Sequence, residues 1–288
     1  MRLALGTAQF GLPYGIANQA GQVTRPAARA MLDIAAANGI DTLDTAIAYG
    51  ESETCLGEVG VQGFKLVTKL PAIPAGCDGI RGWVQAQVNA SLARLGVKAV
   101  YGLLLHRPDQ LLDAGGAAIY QALQSLKEAG LVQKVGVSVY APSELEALIP
   151  RYRFDLIQAP FNLVDRRVQS TGWLRRLKDE GIEVHTRSVF LQGLLLMSQT
   201  VRPEKFSPWS ELWNTWDEWL SRYRVSAVQA CLAFPLSVSE SDRVVVGADS
   251  VSQLEQIVSA AASAASIDFP DLSCNEETLI NPARWCQL

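Results

Sequence analysis

The chain has 288 residues, 49% of them hydrophobic, and a formal net charge of -4. This length fits one (β/α)8 barrel of roughly 250 residues, and without a run of basic residues we expect no nucleic-acid partner and no membrane partner. The five cysteines include no C-x-x-C pair, so we expect no metal site, no disulfide framework and a cytoplasmic location.

Short runs rich in β-branched residues or leucine alternate along the chain with longer segments of helical pattern. Eight such alternations predict parallel β/α units. The linkers between the units are only a few residues long, which is usual inside one domain. We therefore predict a single α/β domain, a (β/α)8 TIM barrel that spans residues 1–288. The predicted strands are Leu3–Thr7, Thr42–Thr45, Phe64–Lys69, Val100–His106, Val132–Ser138, Leu156–Ala159, Glu183–Arg187 and Arg243–Val246.

Two helix starts carry capping signals. Thr24 precedes the segment 25–38, which has Pro26 in its first turn, and threonine is a favoured N-cap residue. Asp78 is predicted to cap the helix that ends near Gly96. These signals place helices between the first and second strands and between the third and fourth.

Two regions depart from the plain repeat, namely residues 194–222 and the tail, residues 266–288. Loops after strands 7 and 8 of a barrel border the active-site face, so we expect the tail to lie near that face. The first region contains four tryptophans, which we interpret as a helix face packed against the barrel; a wall of the substrate pocket is the alternative. We expect substrate specificity in both regions and in the loop 10–23. The tryptophans are Trp209, Trp213, Trp216 and Trp219.

Four ionisable residues fall at the carboxyl ends of consecutive predicted strands or just beyond them. Asp44 belongs to the second strand and Tyr49 to the loop after it. Lys69 ends the third strand and His106 ends the fourth. Strand ends of a barrel converge on one face, where polar residues are often catalytic. Each residue alone has an ordinary explanation, such as a helix cap, a half-buried wedge, a surface lysine or a core histidine.

Together these four side chains suit the reduction of a carbonyl group. Hydride transfer to a carbonyl carbon leaves an alkoxide that needs a proton, and a phenol with a pKa near ~10 needs help to supply it at neutral pH. An ammonium group near the phenol lowers that pKa, and a carboxylate keeps the ammonium charged and in place. An imidazole can polarise the carbonyl oxygen through a hydrogen bond.

The stretch from Gly39 to Glu53 resembles the aldo-keto reductase signature, in which Asp-Thr-Ala is followed by Tyr-Gly and then Ser-Glu. Val67–Lys69 resembles the lysine strand of that family, and Leu103–Pro108 resembles its histidine strand. The resemblance covers nearly the whole chain. It implies a TIM barrel, an NADP(H) or NAD(H) cofactor, a small-molecule carbonyl or alcohol substrate, and a catalytic tetrad with tyrosine as the acid. The residues that match the tetrad are Asp44, Tyr49, Lys69 and His106.

The resemblance also implies which residues hold the nicotinamide. Gly136–Ser138 resembles a turn whose serine binds the carboxamide, and Gln158 matches a glutamine that contacts the same amide. Gly6–Thr7 resembles the first-strand loop that passes the cofactor. Arg187 falls where the family often has an aromatic residue stacked on the nicotinamide, and an arginine plane can also stack on a ring. Val139 replaces the usual asparagine, which removes one carboxamide contact.

At the other end of the cofactor, Gly193 resembles the glycine of a loop that covers the pyrophosphate. Gly247, Asp249 and Gln253 match the adenosine-side motif, where N–H groups at a helix N-terminus meet phosphate. This motif contains no lysine or arginine, and an acid such as Asp249 favours free ribose hydroxyls over a 2′-phosphate. Because Arg243 or Arg187 could still reach a 2′-phosphate, the choice between NADP(H) and NAD(H) stays open at this stage.

Other functions remain to be weighed. No G-x-G-x-x-G follows a predicted strand, which argues against a Rossmann domain, and the tyrosine–lysine spacing of short-chain reductases is absent. Lys69 could form a Schiff base, as in barrel aldolases, but the accompanying Asp44 and Tyr49 argue against that chemistry. The second candidate function is a redox-sensing subunit that binds nicotinamide and turns over slowly. The third is a barrel hydrolase that binds no dinucleotide.

Overall fold

The computed structural model describes residues 1–263 and 268–288. Eight parallel strands pair in chain order, and the eighth pairs with the first to close a barrel. The predicted (β/α)8 fold is confirmed, and each predicted strand matches the observed one to within one residue at either end. The strands are β1 (Leu3–Gly6), β2 (Thr42–Asp44), β3 (Lys65–Leu70), β4 (Val100–Leu105), β5 (Val132–Ser138), β6 (Leu156–Pro160), β7 (Glu183–Arg187) and β8 (Arg243–Gly247).

Helices surround the barrel and connect successive strands. Among the described residues, no helix has both the length and the apolar character that a membrane crossing needs. Short 3₁₀ helices cover Pro108–Leu112, Leu191–Leu196, Glu204–Trp209 and Pro282–Gln287. The α-helices are α1 (Ala8–Gly11), α2 (Arg25–Ala37), α3 (Ser52–Val59), α4 (Ile80–Leu95), α5 (Gly116–Glu128), α6 (Pro142–Leu148), α7 (Arg167–Ser170), α8 (Trp173–Asp179), α9 (Ser210–Tyr223), α10 (Ala227–Ser237), α11 (Val251–Ala262) and α12 (Glu277–Ile280).

The two predicted helix caps have different outcomes. Thr24 caps α2, because its hydroxyl oxygen accepts a hydrogen bond from the Ala27 N–H at 3.4 Å. The prediction for Asp78 is wrong, since α4 is capped by Gly79 without any side-chain hydrogen bond. The helix begins later than expected and leaves the Asp78 carboxylate outside its first turn.

The interior of the barrel is layered, because every second residue of a strand points inward. At mid-height Val67, Leu104 and Leu156 pack together as an apolar layer, separate from the main core between strands and helices. On β3, Lys65 lies two residues before Val67, and Lys69 lies two residues after it. Polar side chains therefore lie at both ends of the barrel, with apolar side chains between them.

The four tryptophans of the segment 194–222 are buried. The indole N–H groups of Trp213, Trp216 and Trp219 each donate to a backbone carbonyl oxygen. None of the four lines the large cavity of the barrel. The interpretation as a packed helix face is therefore confirmed.

The tail packs beside the loop that follows β6. The Cys274 N–H donates to the Val164 carbonyl at 2.9 Å, and Arg167 forms an ion pair with Glu277. Residues 266 and 267 of the predicted tail lie outside the described residues. Residues 268–288 lie on the side of the carboxyl strand ends, but none of them lines the large cavity.

Candidate active site

The four candidate catalytic residues lie together at the carboxyl end of the barrel. The Lys69 Nζ donates to the Asp44 Oδ2 at 2.7 Å, which joins the ends of β3 and β2. The same Nζ is 5.1 Å from the centroid of the Tyr49 ring. The rings of Tyr49 and His106 meet edge to face, with their centroids 5.8 Å apart. The structure thus brings together the carboxylate, ammonium, phenol and imidazole that the sequence predicts.

Both carboxylate oxygens of Asp44 are held by partners. Beyond the bond from Lys69, the Asp44 Oδ1 accepts a hydrogen bond from the Gln158 amide nitrogen at 2.6 Å. The Gln158 Oε1 in turn accepts one from the Ser138 hydroxyl at 3.2 Å. All four side chains are buried. Sequence reasoning missed this link between the predicted carboxamide contacts and the tetrad, because it joins three strands that are far apart in the chain.

The Tyr49 hydroxyl and the His106 imidazole stand outside this network. Neither has a side-chain hydrogen-bond partner in the described part of the chain, and both line a cavity of about 620 Å³. Polar groups that lie inside a protein almost always find a partner. A phenol and an imidazole that face a cavity without one are therefore available to a ligand.

The nine residues predicted to contact a nicotinamide cofactor all line this same cavity. It runs from Tyr49 and His106 at one end to the first residues of α11 at the other. A cavity of about 620 Å³ is within the size range of small-molecule and cofactor sites. The nine residues are Gly6, Thr7, Ser138, Gln158, Arg187, Gly193, Gly247, Asp249 and Gln253.

Glycines allow close packing of the chain at the α11 end of the cavity. A Cβ at Gly247 would lie 2.6 Å from the Gln9 Nε2, and a Cβ at Gly193 would lie 2.5 Å from the Ala17 Cβ. Ser250 caps α11 by accepting a hydrogen bond from the Gln253 N–H at 3.2 Å. The N-terminus of a helix of this length attracts phosphate. The N–H donors at this end therefore suit the phosphates of a dinucleotide.

The loop after β7 lines the cavity with an unusual backbone. Ser188, Leu191 and Gln192 have φ angles of 62°, 47° and 53°, a left-handed region that residues other than glycine rarely adopt. Such strain persists where surrounding contacts enforce it and is common at ligand sites. The Gln192 amide donates to the Tyr14 hydroxyl oxygen at 3.1 Å, which ties this loop to the loop 10–23. Sequence reasoning assigned no role to Tyr14 or Gln192, although Gln192 directly precedes the predicted cofactor residue Gly193.

Arg187 is the last residue of β7 and occupies the position where the resemblance predicts an aromatic residue. Its guanidinium lies 4.5 Å from the centroid of the Tyr140 ring. It donates to the Val139 carbonyl oxygen at 2.9 Å and to the Ser188 hydroxyl oxygen at 3.1 Å. The planar group therefore stacks on a side chain of the protein and still faces the cavity.

The electrostatics of the site differ from the sequence-based expectation. Burial raises the pKa of Tyr49, Asp44 raises it further, and the opposing cation is Arg187. We expected Lys69 to lower this pKa, but the Asp44 carboxylate at 2.7 Å balances its charge. Burial lowers the pKa of Lys69 against the opposing effect of Asp44.

The His106 imidazole is held in its neutral form. Burial, and then the positive charges of Lys69 and Arg187, lower the pKa of His106 to about 4. A neutral imidazole has one N–H donor and one nitrogen acceptor. Within residues 1–263 and 268–288, no group of three or more His, Cys, Asp or Glu side chains could hold a metal ion.

Comparison with known proteins agrees with the fold and with the composition of this site. The model of the aldo/keto reductase family matches residues 2–269. The chain belongs to the aldo-keto reductase family. It is 28% identical over 288 residues to the oxidoreductase sirO of Leptosphaeria maculans, across 88% of this chain and 86% of that protein. It is 35% identical over 144 residues to a 6-dehydroglucose reductase of Agrobacterium fabrum, across 43% of this chain and 48% of that protein.

Solved structures agree with the architecture. An aldo-keto reductase of Bacillus halodurans in its holo form superposes with a TM-score of 0.73 and 22% identity, across 94% of this chain and 89% of that one. At this identity the likeness shows the fold alone. Membership of the family supports an oxidoreductase that acts between carbonyl and alcohol groups, and aldo-keto reductases use nicotinamide cofactors.

Proposed function

We propose that this aldo-keto reductase interconverts a small-molecule carbonyl compound and its alcohol with NADP(H) or NAD(H), and that Tyr49 is the general acid and base. The observation that carries the proposal is the Tyr49 hydroxyl. It faces the cavity beside His106, above the buried Lys69–Asp44 pair, and no described side chain forms a hydrogen bond with it. A proton donor in this position is available to a carbonyl oxygen.

Each member of the tetrad has a role that follows from its contacts. The raised pKa of Tyr49 keeps its proton at neutral pH, so the phenol can donate to an alkoxide. The neutral His106 can donate its N–H to the carbonyl oxygen and polarise it. Lys69 lies against the Tyr49 ring and supports its position, while Asp44 holds Lys69 in place.

A nicotinamide cofactor would supply a hydride to the carbonyl carbon. Ser138 and Gln158 would hold the carboxamide, since their buried polar atoms line the cavity next to Asp44. Gly193, Gly247 and the first residues of α11 would surround the phosphates. Among the cavity-lining residues at the α11 end none is lysine or arginine, so we propose that NADH and NADPH are used comparably.

The test is a fluorescence titration with NADPH and with NADH, followed by a panel of aldehydes and sugars. The panel includes sugar carbonyls because one relative is a 6-dehydroglucose reductase. We expect saturable binding of at least one cofactor and multiple turnovers with at least one aldehyde. Binding followed by a single slow turnover would instead support the redox-sensing subunit. If neither NADPH nor NADH binds, the result contradicts both the reductase and the redox-sensing subunit and favours the cofactor-free hydrolase.

A further inference from the structure

Arg187 is a cation on the cavity wall that no carboxylate neutralises. Its guanidinium has five N–H donors, and the described contacts use one toward the Val139 carbonyl and one toward the Ser188 hydroxyl. Among the described residues, no aspartate or glutamate lies within ion-pair distance of it, whereas the nearby Lys69 has Asp44 at 2.7 Å. A guanidinium in a partly buried position normally has an anionic partner.

The guanidinium is held in a fixed orientation. One face rests on the Tyr140 ring at 4.5 Å. The backbone of Tyr140 is itself fixed, because its N–H donates to the Glu144 carboxylate at 2.5 Å and its carbonyl accepts from Arg167 at 3.0 Å. A planar donor group that is already ordered loses little conformational entropy when it binds a ligand. The arrangement resembles a built binding wall more than a mobile surface arginine.

Arg187 lies at the tetrad end of the cavity. It ends β7, stacks on a residue just after β5, and is close enough to Tyr49 and His106 to influence the pKa of each. The glycine and helix N-terminus that suit phosphates, Gly247 and α11, belong to the end of β8 and the helix that follows it. Since Asp44 balances Lys69, the charge left uncompensated beside the Tyr49 hydroxyl is that of Arg187.

We infer that Arg187 binds an anionic group of the substrate, a carboxylate or a phosphate, next to the carbonyl that Tyr49 protonates. The inference rests on the proposed function and adds the substrate class. The free N–H groups of a guanidinium match two oxygens of either anion in a fork-like geometry. An anionic aldehyde is therefore favoured over a neutral aldehyde of similar size.

The experiment compares kcat/KM for matched aldehydes with and without an anion. Succinic semialdehyde is paired with butanal, and glyceraldehyde 3-phosphate is paired with glyceraldehyde. Wild type should prefer the anionic member of at least one pair by about 10- to 100-fold, the scale of a charged hydrogen bond. Arg187→Gln should reduce this preference to near unity, mainly through KM, and Arg187→Lys should retain part of it.

The control is Arg107→Gln, which removes the same charge near His106. The Arg107 side chain is 63% exposed and already paired with Asp109 at 2.9 Å, so this variant should keep the wild-type preference. The pair that shows the preference identifies the anion as carboxylate or phosphate. A wild-type enzyme without any preference, or an unchanged preference in Arg187→Gln, would overturn the inference.

Binding measurements separate this inference from the proposed function. Calorimetric titration of succinate and of inorganic phosphate into the protein saturated with NADPH or NADH should show at least tenfold weaker binding in Arg187→Gln. If wild type reduces no aldehyde, the proposed function fails and these titrations alone decide the inference. If wild type and Arg187→Gln bind the anions equally, the inference about Arg187 is wrong. It is also wrong if Arg187→Gln loses affinity for the cofactor but not for the anions.

Discussion

The two ends of the barrel carry the same four types of side chain, yet only one end has the features of an active site. Each end has a carboxylate, a tyrosine, a lysine and one of the two histidines of the chain. The carboxyl end has Asp44, Tyr49, Lys69 and His106; the amino end has Glu183, Tyr101, Lys134 and His185.

At the amino end the Glu183 carboxylate binds the other three side chains, and none of the four lines the large cavity, although the buried Nδ1 of His185 has no partner among the described residues. Glu183 accepts from the Tyr101 hydroxyl at 2.6 Å, pairs with His185 at 2.8 Å, and also pairs with Lys134. Burial would raise the pKa of Glu183, but the hydrogen bonds from His185, Lys134 and Tyr101 hold it well below its usual range. At the carboxyl end only the lysine and carboxylate satisfy each other. The candidate site is therefore marked by hydrogen-bond donors that face a cavity without a protein partner, and not by the types of residue present.

The largest expected effect is the loss of turnover when Tyr49 is substituted, compared with the same substitution of Tyr101 at the amino end. Tyr49→Phe should lower kcat by at least about 100-fold, because the acid is removed while the ring remains. Cofactor affinity should stay nearly intact, since the phenol faces the substrate. Tyr101→Phe is the matched control and should leave kcat unchanged. Steady-state kinetics with one aldehyde measure both, and equal kcat values in the two variants would refute the role of Tyr49.

Substitutions of Lys69 and Lys134 should lower the free energy of unfolding by different amounts at the two ends of the barrel. Lys69→Met leaves the Asp44 carboxylate buried without its cation, which should cost about 3–5 kcal/mol in the free energy of unfolding. Lys134→Met should cost only about 1 kcal/mol, because the Lys134 side chain is 31% exposed and Glu183 keeps two other partners.

Urea denaturation measures both losses. The double variant Asp44→Asn with Lys69→Met removes both charges and should be more stable than Lys69→Met alone. If the two lysine variants lose equal stability, or if the double variant gains nothing, the buried pair does not have the energetic role assigned to it.

Substitutions of His106 and His185 extend the comparison of the two ends to the pH dependence of stability and activity. The folded-state pKa of His106 is about 4, below the unfolded value near ~6.5. As pH falls from about 6.5 to 4, the unfolded chain takes up a proton that the folded chain does not, so wild type loses at most about 1.4 kcal/mol per pH unit through this group. His106→Asn lacks this term, and its stability deficit relative to wild type should shrink over that range.

Urea melts at several pH values test this expectation. Reduction by wild type should show no titration of His106 between about pH 5 and 8. His185→Asn should leave kcat/KM unchanged, since the His185 ring contacts Glu183 and is not among the residues that line the large cavity. A stability difference between wild type and His106→Asn that is constant with pH would show that the imidazole is not held neutral.

Much of the fold was predictable, because each strand of a parallel barrel is a short apolar run that a helical segment separates from the next. The strand ends also indicated the tetrad, since Asp44, Lys69 and His106 each lie within one residue of the end of consecutive strands. The Asp78 cap was wrong because helix ends depend on local backbone geometry that a single residue type does not determine.

The rest of the site depends on contacts between distant segments. The hydrogen bond from Gln158 to Asp44 joins residues that are 114 positions apart. The contact of Arg187 with Tyr140 likewise joins the end of β7 to the loop after β5. The sign of the Tyr49 pKa shift was missed because a sequence shows the nearby ammonium but neither the burial of the phenol nor the position of the balancing carboxylate. Such effects arise from three-dimensional packing.

The smallest expected effect is on the preference between NADPH and NADH, and it follows from where the arginines lie in the barrel. Arg243 was one of two cations that could have reached a 2′-phosphate, but it lies at the amino end, paired with Asp41 at 3.0 Å. The other, Arg187, lies at the tetrad end against Tyr140. A 2′-phosphate therefore meets no described arginine or lysine among the cavity-lining residues of the α11 end, where Asp249 adds a carboxylate. The ratio of kcat/KM for NADPH over NADH should be well below about 100, which corresponds to roughly 2.7 kcal/mol.

Asp249→Ser removes the carboxylate that opposes a 2′-phosphate, and it should move this ratio toward NADPH by up to about tenfold. The matched control is Asp242→Ser, just before the opposite end of β8, where the carboxylate is paired with Lys178 at 2.5 Å and is remote from the cavity lining. That variant should leave the ratio unchanged even if it lowers stability. A wild-type ratio of about 100 or more would mean that a cation reaches the 2′-phosphate after all. An unchanged ratio in Asp249→Ser would remove Asp249 from cofactor selection and leave the shape of the α11 end as its determinant.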